Sequence, residues 1–190
     1  MKIWNEIWDY VKMIIIVVVV VLVINNVVLI NAKIPSESME NTIMTGDRIF
    51  GFRLAYGFNM NVFGNEISKK WKDPERFDIV IFKYPDDESQ LFIKRIIGLP
   101  GDKVEIIDGK VYINDKELKS DVYGITDYID YPGIAEEPIT LGDDEYFCLG
   151  DNRPVSQDSR YEEVGPVKRS IIVGKVWIRI WPLNKFGKVS

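Results

Sequence analysis

Two serines and a lysine are the residues of this chain that could catalyse a nucleophilic reaction. Ser36 and Ser38 are separated by one residue, so in an extended chain their hydroxyls point the same way. A serine nucleophile needs a base to take its proton, and the usual base is histidine. The chain has no histidine, which excludes a Ser-His-Asp triad. If Ser38 is a nucleophile, its base must therefore be Lys, Asp, Glu or Tyr.

Lys94 is the candidate base. In a strand it would share one face with Phe92 and Ile96, and poor solvation between these apolar side chains lowers the pKa of an ammonium group. A decrease from ~10.4 to ~8 requires roughly 3.3 kcal/mol, which burial can supply. A neutral Lys94 amine could then accept the proton of a serine hydroxyl. The alternative is that Lys94 extends its amine to solvent from a strand edge.

A polar loop at residues 150–160 follows a predicted strand and is rich in groups that bond backbone or pair charges. Ser156 could hydrogen-bond the Lys94 amine and orient it, and Asp158 and Arg160 could form an ion pair. A structural turn is the alternative for each of these residues.

An apolar run from Met13 to Ile30 precedes the serines. As a helix it would extend about 27 Å, close to the ~30 Å hydrocarbon core of a bilayer. The sequence therefore predicts a tail at residues 1–12 and a transmembrane anchor at residues 13–31. A cleaved secretory signal, with a weak cleavage site at Ala32, and a buried core helix are the alternatives.

The remainder of the chain predicts a mainly antiparallel β fold, because short apolar runs recur with turn signals between them. The predicted strands are residues 47–50, 77–84, 91–97, 104–107, 110–113, 145–149 and 171–181. Asp108-Gly109 is a strong signal for a type I′ hairpin. We expect a partly closed barrel or folded sheet formed by residues 32–113 and 145–190, with a small inserted lobe at 114–144.

Apolar residues alternate with other residues from Phe50 to Met60 and predict one strand with an apolar face, and Phe63 extends this apolar set. This face belongs either to the core or to a surface that enters the bilayer beside the anchor.

Composition excludes several other classes of protein. The net charge is −5, and the basic residues form no stripe, which argues against nucleic-acid binding. Cys148 is the only cysteine, so the chain has no internal disulfide. With no histidine, a structural zinc site is not expected, and we expect neither a metal nor a cofactor.

Four segments together resemble the motifs of type I signal peptidases, also called leader peptidases, which are membrane-anchored serine proteases. The matching segments, of which the third and fourth are highly specific, are residues 35–39, 46–47, 94–102 and 150–160. The resemblance implies that Ser38 is the nucleophile and Lys94 the general base. It also implies an oxyanion hole formed by the Ser38 backbone N–H and the Ser36 hydroxyl.

The resemblance assigns roles to the remaining candidate residues as well. Ser156 would orient the Lys94 amine, while Asp158 and Arg160 would hold their loop. The residues implied in substrate binding are Ile34, Pro35, Met39 and Ile93. The substrate would be a secretory preprotein, bound as an added strand and cut after a small-x-small sequence such as Ala-x-Ala.

The same resemblance implies a monomeric, single-pass protein of the cell membrane with a cytoplasmic N-terminus and an extracytoplasmic catalytic domain. The small insertion resembles the short forms of Gram-positive bacteria. One departure is Asn41, because the family usually has at that position a Pro, which would stiffen the chain after the nucleophile.

Two other functions are compatible with the residues. One is a pilin-processing or self-cleaving relative that uses the same Ser-Lys pair. The other is a membrane-tethered β module that binds extended peptides without cutting them, which only Asn41 favours.

Overall fold

The N-terminal helix stands apart from the body of the protein. The computed structural model describes residues 2–62, 65–126 and 128–189. Helix α1 (Lys2–Val23) continues as a π-helical turn (Ile24–Val28). The most apolar 18-residue window of the segment Glu6–Val28 has a mean hydropathy of 2.8, and no part of that window is buried. The interpretation as a buried core helix is therefore wrong, and an exposed apolar helix of this length is consistent with a membrane anchor.

The helix ends before the apolar run does. Leu29 and Ile30, which were expected to complete the helix, instead begin strand β1 (Leu29–Lys33). Ile30 pairs with Gly51 of the next strand and is only 4% exposed. A β-branched residue suits a half-buried pleated surface as well as an apolar helix, so the composition of the run could not locate this boundary.

The other strands include a counterpart of each of the seven short strands predicted from residue 47 to residue 181. They are β2 (Arg48–Phe52), β3 (Gly57–Val62), β4 (Asn65–Lys70), β5 (Ile79–Tyr84), β6 (Asp87–Gly98), β7 (Lys103–Ile107), β8 (Lys110–Ile113), β9 (Lys116–Glu117), β10 (Ile139–Thr140), β11 (Glu145–Leu149), β12 (Val167–Lys168), β13 (Ile172–Trp181) and β14 (Gly187–Lys188). Asp108 and Gly109 both have positive φ, 47° and 73°, as a type I′ hairpin between β7 and β8 requires.

The main sheet is antiparallel and open. Its strand order is β1-β2-β13-β5-β6-β11-β12, with β14 paired to β13. Within the described residues no pairing joins β1 to β12, so the sheet does not close into a barrel. The prediction of a mainly antiparallel β fold after an apolar helix is confirmed.

A second sheet has the order β10-β7-β8-β9. Its strands β9 and β10 come from the predicted lobe at residues 114–144, whereas β7 and β8 precede that lobe in the sequence. The buried residues Val104, Ile106 and Leu141 pack in its core together with Phe147 of β11, so the small sheet rests on the end of the main one. The predicted domain limits stay a prediction.

A separate hairpin replaces the single strand predicted from Phe50 to Met60. β2 ends at Phe52, residues 53–55 form a 3₁₀ turn, and within the described residues β3 and β4 pair only with each other. Gly57 allows this change of direction, because its φ is 136° and a Cβ there would lie 2.3 Å from the Lys69 carbonyl oxygen. Phe63, which was included in the apolar set, lies outside the described residues.

Candidate active site

Strand β6 places Lys94 in an apolar setting. Val80 of β5 pairs with Lys94 and is fully buried, as is Ile96 on the same face. The Lys94 Nζ atom lies 5.3 Å from the centroid of the Phe92 ring. Lys94 itself is only 4% exposed, so the alternative in which its amine reaches solvent is not what the structure shows.

Ser38 lies in a turn that follows β1. The Glu40 N–H donates to the Glu37 carbonyl at 2.9 Å, and the Ile43 N–H donates to the Met39 carbonyl at 2.8 Å. The serines therefore do not lie in an extended chain, the case in which their hydroxyls would point the same way. The hydroxyl oxygens of Ser36 and Ser38 are nevertheless 3.5 Å apart.

Two buried side chains hold this turn against the core. Ile34 before the turn is 5% exposed and Met39 after Ser38 is 2% exposed, and both pack with Ile81 in one cluster. Because the neighbours of the turn are fixed, the position of the Ser38 hydroxyl is fixed relative to the sheet.

The Ser38 hydroxyl and the Lys94 amine meet in the folded protein. Ser38 Oγ and Lys94 Nζ are 2.7 Å apart, within the range for proton transfer. Burial lowers the pKa of Lys94 to about 8, because loss of solvation outweighs the attraction of the nearby Asp158 carboxylate. At pH 7 about one-tenth of such an amine is neutral. The geometry thus joins a hydroxyl to an amine that can accept its proton.

Two hydrogen-bond donors adjoin the Ser38 hydroxyl. The Ser38 backbone N–H has no acceptor within the described residues. The Ser36 side chain is exposed beside it. An oxyanion that forms on a carbonyl attacked by Ser38 would need two such donors.

A buried ion pair holds the loop at residues 150–160. Arg160 Nε lies 2.8 Å from Asp158 Oδ1, and both side chains are at most 2% exposed. The Gly150 N–H donates to Asp158 Oδ2 at 3.0 Å, and Arg160 Nη2 donates to the Arg153 carbonyl at 2.7 Å. The pair expected from the sequence is formed, and it fastens both ends of the loop.

Ser156 is close to the dyad but does not contact it as expected. Its side chain is 1% exposed, and its Oγ has no hydrogen-bond partner within the described residues. The expected hydrogen bond from Ser156 to Lys94 is therefore not formed in this structure. Gly150 packs against both Ser156 and the turn of Ser38. A Cβ at Gly150 would lie 2.2 Å from Ser156 Oγ and 2.4 Å from the Ser38 carbonyl oxygen.

A second buried ion pair joins two of the four motifs, residues 94–102 and 150–160, and it was not predicted from the sequence. Arg95 donates to both carboxylate oxygens of Asp151, at 2.9 and 2.8 Å, and both side chains are at most 1% exposed. Thr42, which lies in the turn after Ser38, donates to Asp151. The signal that could have revealed the pair was a charged residue next to a core position in each of two motifs, since buried charges are paired.

Asn41 connects the turn after Ser38 to the chain before the 3₁₀ turn of residues 133–136. Its φ is 89°, a conformation that Pro cannot adopt because its ring fixes φ near −65°. Its Nδ2 donates to the Tyr123 carbonyl at 3.1 Å, and the Tyr123 ring lies 3.7 Å from the Arg95 guanidinium. The departure from the family pattern therefore comes with a restraint of its own.

A cleft of about 570 Å³ lies over the serine and lysine. It is lined by all the residues expected to act on or bind the substrate, namely Ile34, Pro35, Ser36, Ser38, Met39, Ile93 and Lys94. Ser156, Asp158 and Arg160 are not in its lining. Within the described residues, β1 pairs only with β2, and residues 87–94 of β6 pair only with β5, so free strand edges border the cleft.

A serine hydroxyl in contact with a buried lysine amine, beside a cleft bordered by free strand edges, makes this a candidate serine hydrolase site in a chain that has no histidine. The family described as signal peptidase, peptidase S26, matches residues 7–181. The chain belongs to this family, and the resemblance seen in its motifs is confirmed.

Individual relatives agree with the family match. A probable signal peptidase I-2 from Synechocystis is 37% identical over 163 residues, which cover 83% of this chain and 65% of that protein. A signal peptidase I from Leptolyngbya laminosa is 34% identical over 166 residues, which cover 83% of this chain and 71% of that protein. The chain thus spans about two thirds of the length of these relatives.

A solved structure is also similar to the chain. The crystal structure of a signal peptidase I from Enterococcus faecalis V583 is 37% identical, covers 55% of this chain and 97% of that chain, and has a TM-score of 0.45. The family assignment depends on the sequence matches.

Proposed function

We propose that this chain is a signal peptidase that removes N-terminal signal peptides from secretory preproteins after small-x-small sites, with Ser38 as nucleophile and Lys94 as general base. The observation that carries the proposal is the 2.7 Å separation of Ser38 Oγ from Lys94 Nζ, with Lys94 only 4% exposed. Family membership supports the class of reaction.

In the first step Ser38 Oγ attacks the scissile carbonyl carbon and its proton passes to the neutral Lys94 amine. The negative oxygen of the tetrahedral intermediate accepts hydrogen bonds from the Ser38 N–H and the Ser36 hydroxyl. The C–N bond then breaks, and the Lys94 ammonium returns the proton to the leaving amine. The signal peptide remains attached to Ser38 as an ester.

In the second step water attacks the ester and Lys94 again takes the proton. The tetrahedral intermediate collapses, the ester C–O bond breaks, and the proton passes from Lys94 to Ser38 Oγ. The enzyme is regenerated without a metal or an organic cofactor. Asp158 and Arg160 act through their loop, which carries Gly150 against the Ser38 carbonyl.

The substrate chain binds in the cleft as an added strand. The free edges of β1 and of the first half of β6 offer backbone donors and acceptors to an extended peptide. Ile34 and Ile93 line the cleft beside the dyad and leave shallow apolar space that suits side chains such as Ala. The site is complete within one chain, so a monomer suffices.

Helix α1 anchors the enzyme in the cell membrane, with the N-terminus in the cytoplasm and the β domain outside. The support is the exposed apolar segment Glu6–Val28, which leads directly into β1 and then to Ser38. A signal peptide that spans the same bilayer exposes its cleavage site close to the membrane surface, where the cleft lies.

The test is a cleavage assay with the full chain in liposomes and a preprotein that carries one Ala-x-Ala site. We expect the unaltered chain to cut after the second Ala. Ser38→Ala and Lys94→Met should each lower the single-turnover rate by at least about 10³-fold, since loss of a nucleophile or base removes the chemistry it performs.

Matched variants show whether such losses are specific. Thr45→Ala, an exposed change close in sequence to Ser38, and Lys116→Met, an exposed lysine, should keep the rate within about twofold. Near-normal cleavage by folded Lys94→Met protein would overturn the assignment of the base. Binding of the preprotein without any cleavage by the unaltered chain would favour a peptide-binding module.

A further inference from the structure

A second cleft, of about 440 Å³, lies at the end of the sheet where the apolar helix enters it. Asn26 and Val27 of the π-helical turn form part of its wall. Leu29 at the start of β1 pairs with Phe52 at the end of β2, and Arg53, the next residue, donates from Nε to the Leu29 carbonyl at 3.3 Å. The cleft therefore lies directly beside the π-helical turn that ends the helix.

The lining of this cleft is strongly basic. Its cations come from the turn after β2, from β4, from β5 and from the turn before β13, and they are Arg53, Lys69, Lys70, Lys83 and Arg169. Among the described side chains, Asp144 is the only carboxylate in the lining. Because the whole chain carries a net charge of −5, this is a local concentration of positive charge against the overall sign.

Most of these cations lack a close carboxylate among the described residues. Lys83 pairs with Glu88 at 2.6 Å. Arg169 has only Asp73 at 3.8 Å, and the Asp73 side chain is 76% exposed. Among the carboxylates whose side chains the structure describes, none lies within 4 Å of Arg53, Lys69 or Lys70.

Arg169 is the clearest example of a cation in this cleft without a close carboxylate. Its side chain is 11% exposed, and its buried Nε has no hydrogen-bond partner within the described residues. Its Nη2 donates to the Tyr56 carbonyl at 2.9 Å. A buried guanidinium that is so poorly paired is costly, and its planar set of donors matches a phosphate group.

The surroundings indicate where such a phosphate would come from. Asn26 lies close to the end of the apolar segment Glu6–Val28, where hydrocarbon gives way to lipid head groups if the helix is the anchor proposed above. Trp71 is 51% exposed and its ring lies 6.0 Å from that of Phe58 beside the cleft. Exposed aromatic rings are typical of the interface of a bilayer.

We propose that this cleft binds the phosphate head group of an anionic phospholipid. The proposal rests on the membrane anchor of the proposed function, but it concerns a cleft that shares no lining residue with the cleft at the dyad and requires no turnover. Arg53, Arg169 and the two lysines of β4 supply the charge, and the bound lipid fixes the β3–β4 hairpin against the end of the helix.

The first measurement is lipid binding to the full chain in neutral detergent, followed by native mass spectrometry. Phosphatidylglycerol should bind at least tenfold more tightly than phosphatidylcholine. The double variant Lys69→Gln/Lys70→Gln should weaken phosphatidylglycerol binding about 30-fold, which corresponds to about 2 kcal/mol. Equal affinity for the two lipids, or no loss in the double variant, would overturn the proposal.

The matched control is Lys116→Gln/Lys119→Gln, which removes the same charge from exposed positions near the second sheet. Its binding should stay within about twofold of the unaltered chain. A loss as large as that of Lys69→Gln/Lys70→Gln would mean that total charge, not this cleft, attracts the lipid. Glycerol 3-phosphate that binds as tightly as the lipid, with the same dependence on Lys69 and Lys70, would point to a soluble phosphate and against a lipid.

Cleavage provides a separate readout. On a soluble peptide in detergent, Lys69→Gln/Lys70→Gln should retain the kcat of the unaltered chain, because neither lysine touches the cleft that holds Ser38. A chain that binds phosphatidylglycerol but cuts no preprotein would support the lipid site and contradict the peptidase assignment, so that the two proposals can fail independently.

Discussion

Lys94 and Arg95 are neighbours on β6, both buried and both basic, yet their surroundings are opposite. Arg95 projects to the face where Asp151 accepts two hydrogen bonds from its guanidinium. Lys94 projects to the other face, where Phe92 and the Ser38 hydroxyl are its contacts and no carboxylate lies within 4 Å among the described residues. A buried cation with a carboxylate is structural, whereas one without can lose its proton and act as a base.

The largest expected effect on the free energy of unfolding comes from breaking the ion pair of Arg95 with Asp151. Asp151→Ala leaves the Arg95 guanidinium buried without its carboxylate, and breaking a buried pair in this way costs about 3–5 kcal/mol. Urea unfolding of the variant should show this decrease in the free energy of unfolding. The control is Glu88→Ala, since Glu88 pairs with Lys83 at the surface and its loss should cost less than about 1 kcal/mol. Equal losses in both variants would mean that the buried pair is not special.

Replacing Lys94, the buried cation without a carboxylate, should change the free energy of unfolding in the opposite direction. The pKa of Lys94 falls from 10.5 to about 8 on folding, so below pH 8 the folded protein bears the full cost of a charged, desolvated amine. That cost disappears as the pH rises from 8 to 10.5, because the amine is then neutral in the folded state. Lys94→Met should therefore raise the free energy of unfolding by about 3 kcal/mol at pH 6 and by little above pH 10.5.

The measurement for this prediction is urea unfolding of both proteins across that pH range. Lys116→Met at an exposed site should leave the free energy of unfolding unchanged at each pH. A Lys94→Met protein that is less stable than the unaltered chain at pH 6 would show that the lysine is well solvated or paired, and the contrast with Arg95 would be lost.

The pH dependence of cleavage should show the same pKa. Because Lys94 must be neutral to accept the Ser38 proton, the single-turnover rate should rise about tenfold per pH unit below 8 and become level above it. From pH 6 to pH 8 this gives an increase of about 50-fold. A rate that does not change over this interval, with chemistry as the limiting step, would exclude Lys94 as the base.

The role of Lys94 was predictable from the sequence, whereas the ion pair of Arg95 with Asp151 was not. Absence of histidine and the alternation at Phe92, Lys94 and Ile96 were enough to suggest a desolvated lysine base. Asp151 is 56 residues from Arg95, and nothing local in either motif states that they meet. The hydrogen bond expected at Ser156 failed for a similar reason, since it depends on how Gly150 packs against the turn of Ser38.

The fold was predictable where pattern and turn chemistry agree. The hairpin of β7 and β8 follows from Asp108-Gly109, whose residues tolerate positive φ. The end of the helix did not follow from the sequence, because valine and isoleucine suit an apolar helix and a buried strand equally. Only the pairing of β1 with β2 decides between them.

The smallest expected effect concerns Asn41, which links the turn of Ser38 to the chain that carries the Tyr123 ring over Arg95. Asn41→Gly keeps the positive φ and removes the hydrogen bond to the Tyr123 carbonyl, so it should lower stability by about 1 kcal/mol. Asn41→Pro cannot keep φ at 89° and should lose more. Thermal unfolding of the two variants measures the difference, and a Pro variant as stable as the Gly variant would show that the turn adapts freely.

Because the helix leads directly into β1, the distance between the end of the helix and the turn of Ser38 is fixed. The π-helical turn ends at Val28 and β1 begins at Leu29, with no flexible joint between them. The five residues of β1 rise about 17 Å at ~3.3–3.4 Å each, and β2 locks them along their whole length. If the helix is embedded in a bilayer, the length of β1 limits how far from the end of the helix the serine can lie, and therefore which bond of an emerging preprotein comes within reach.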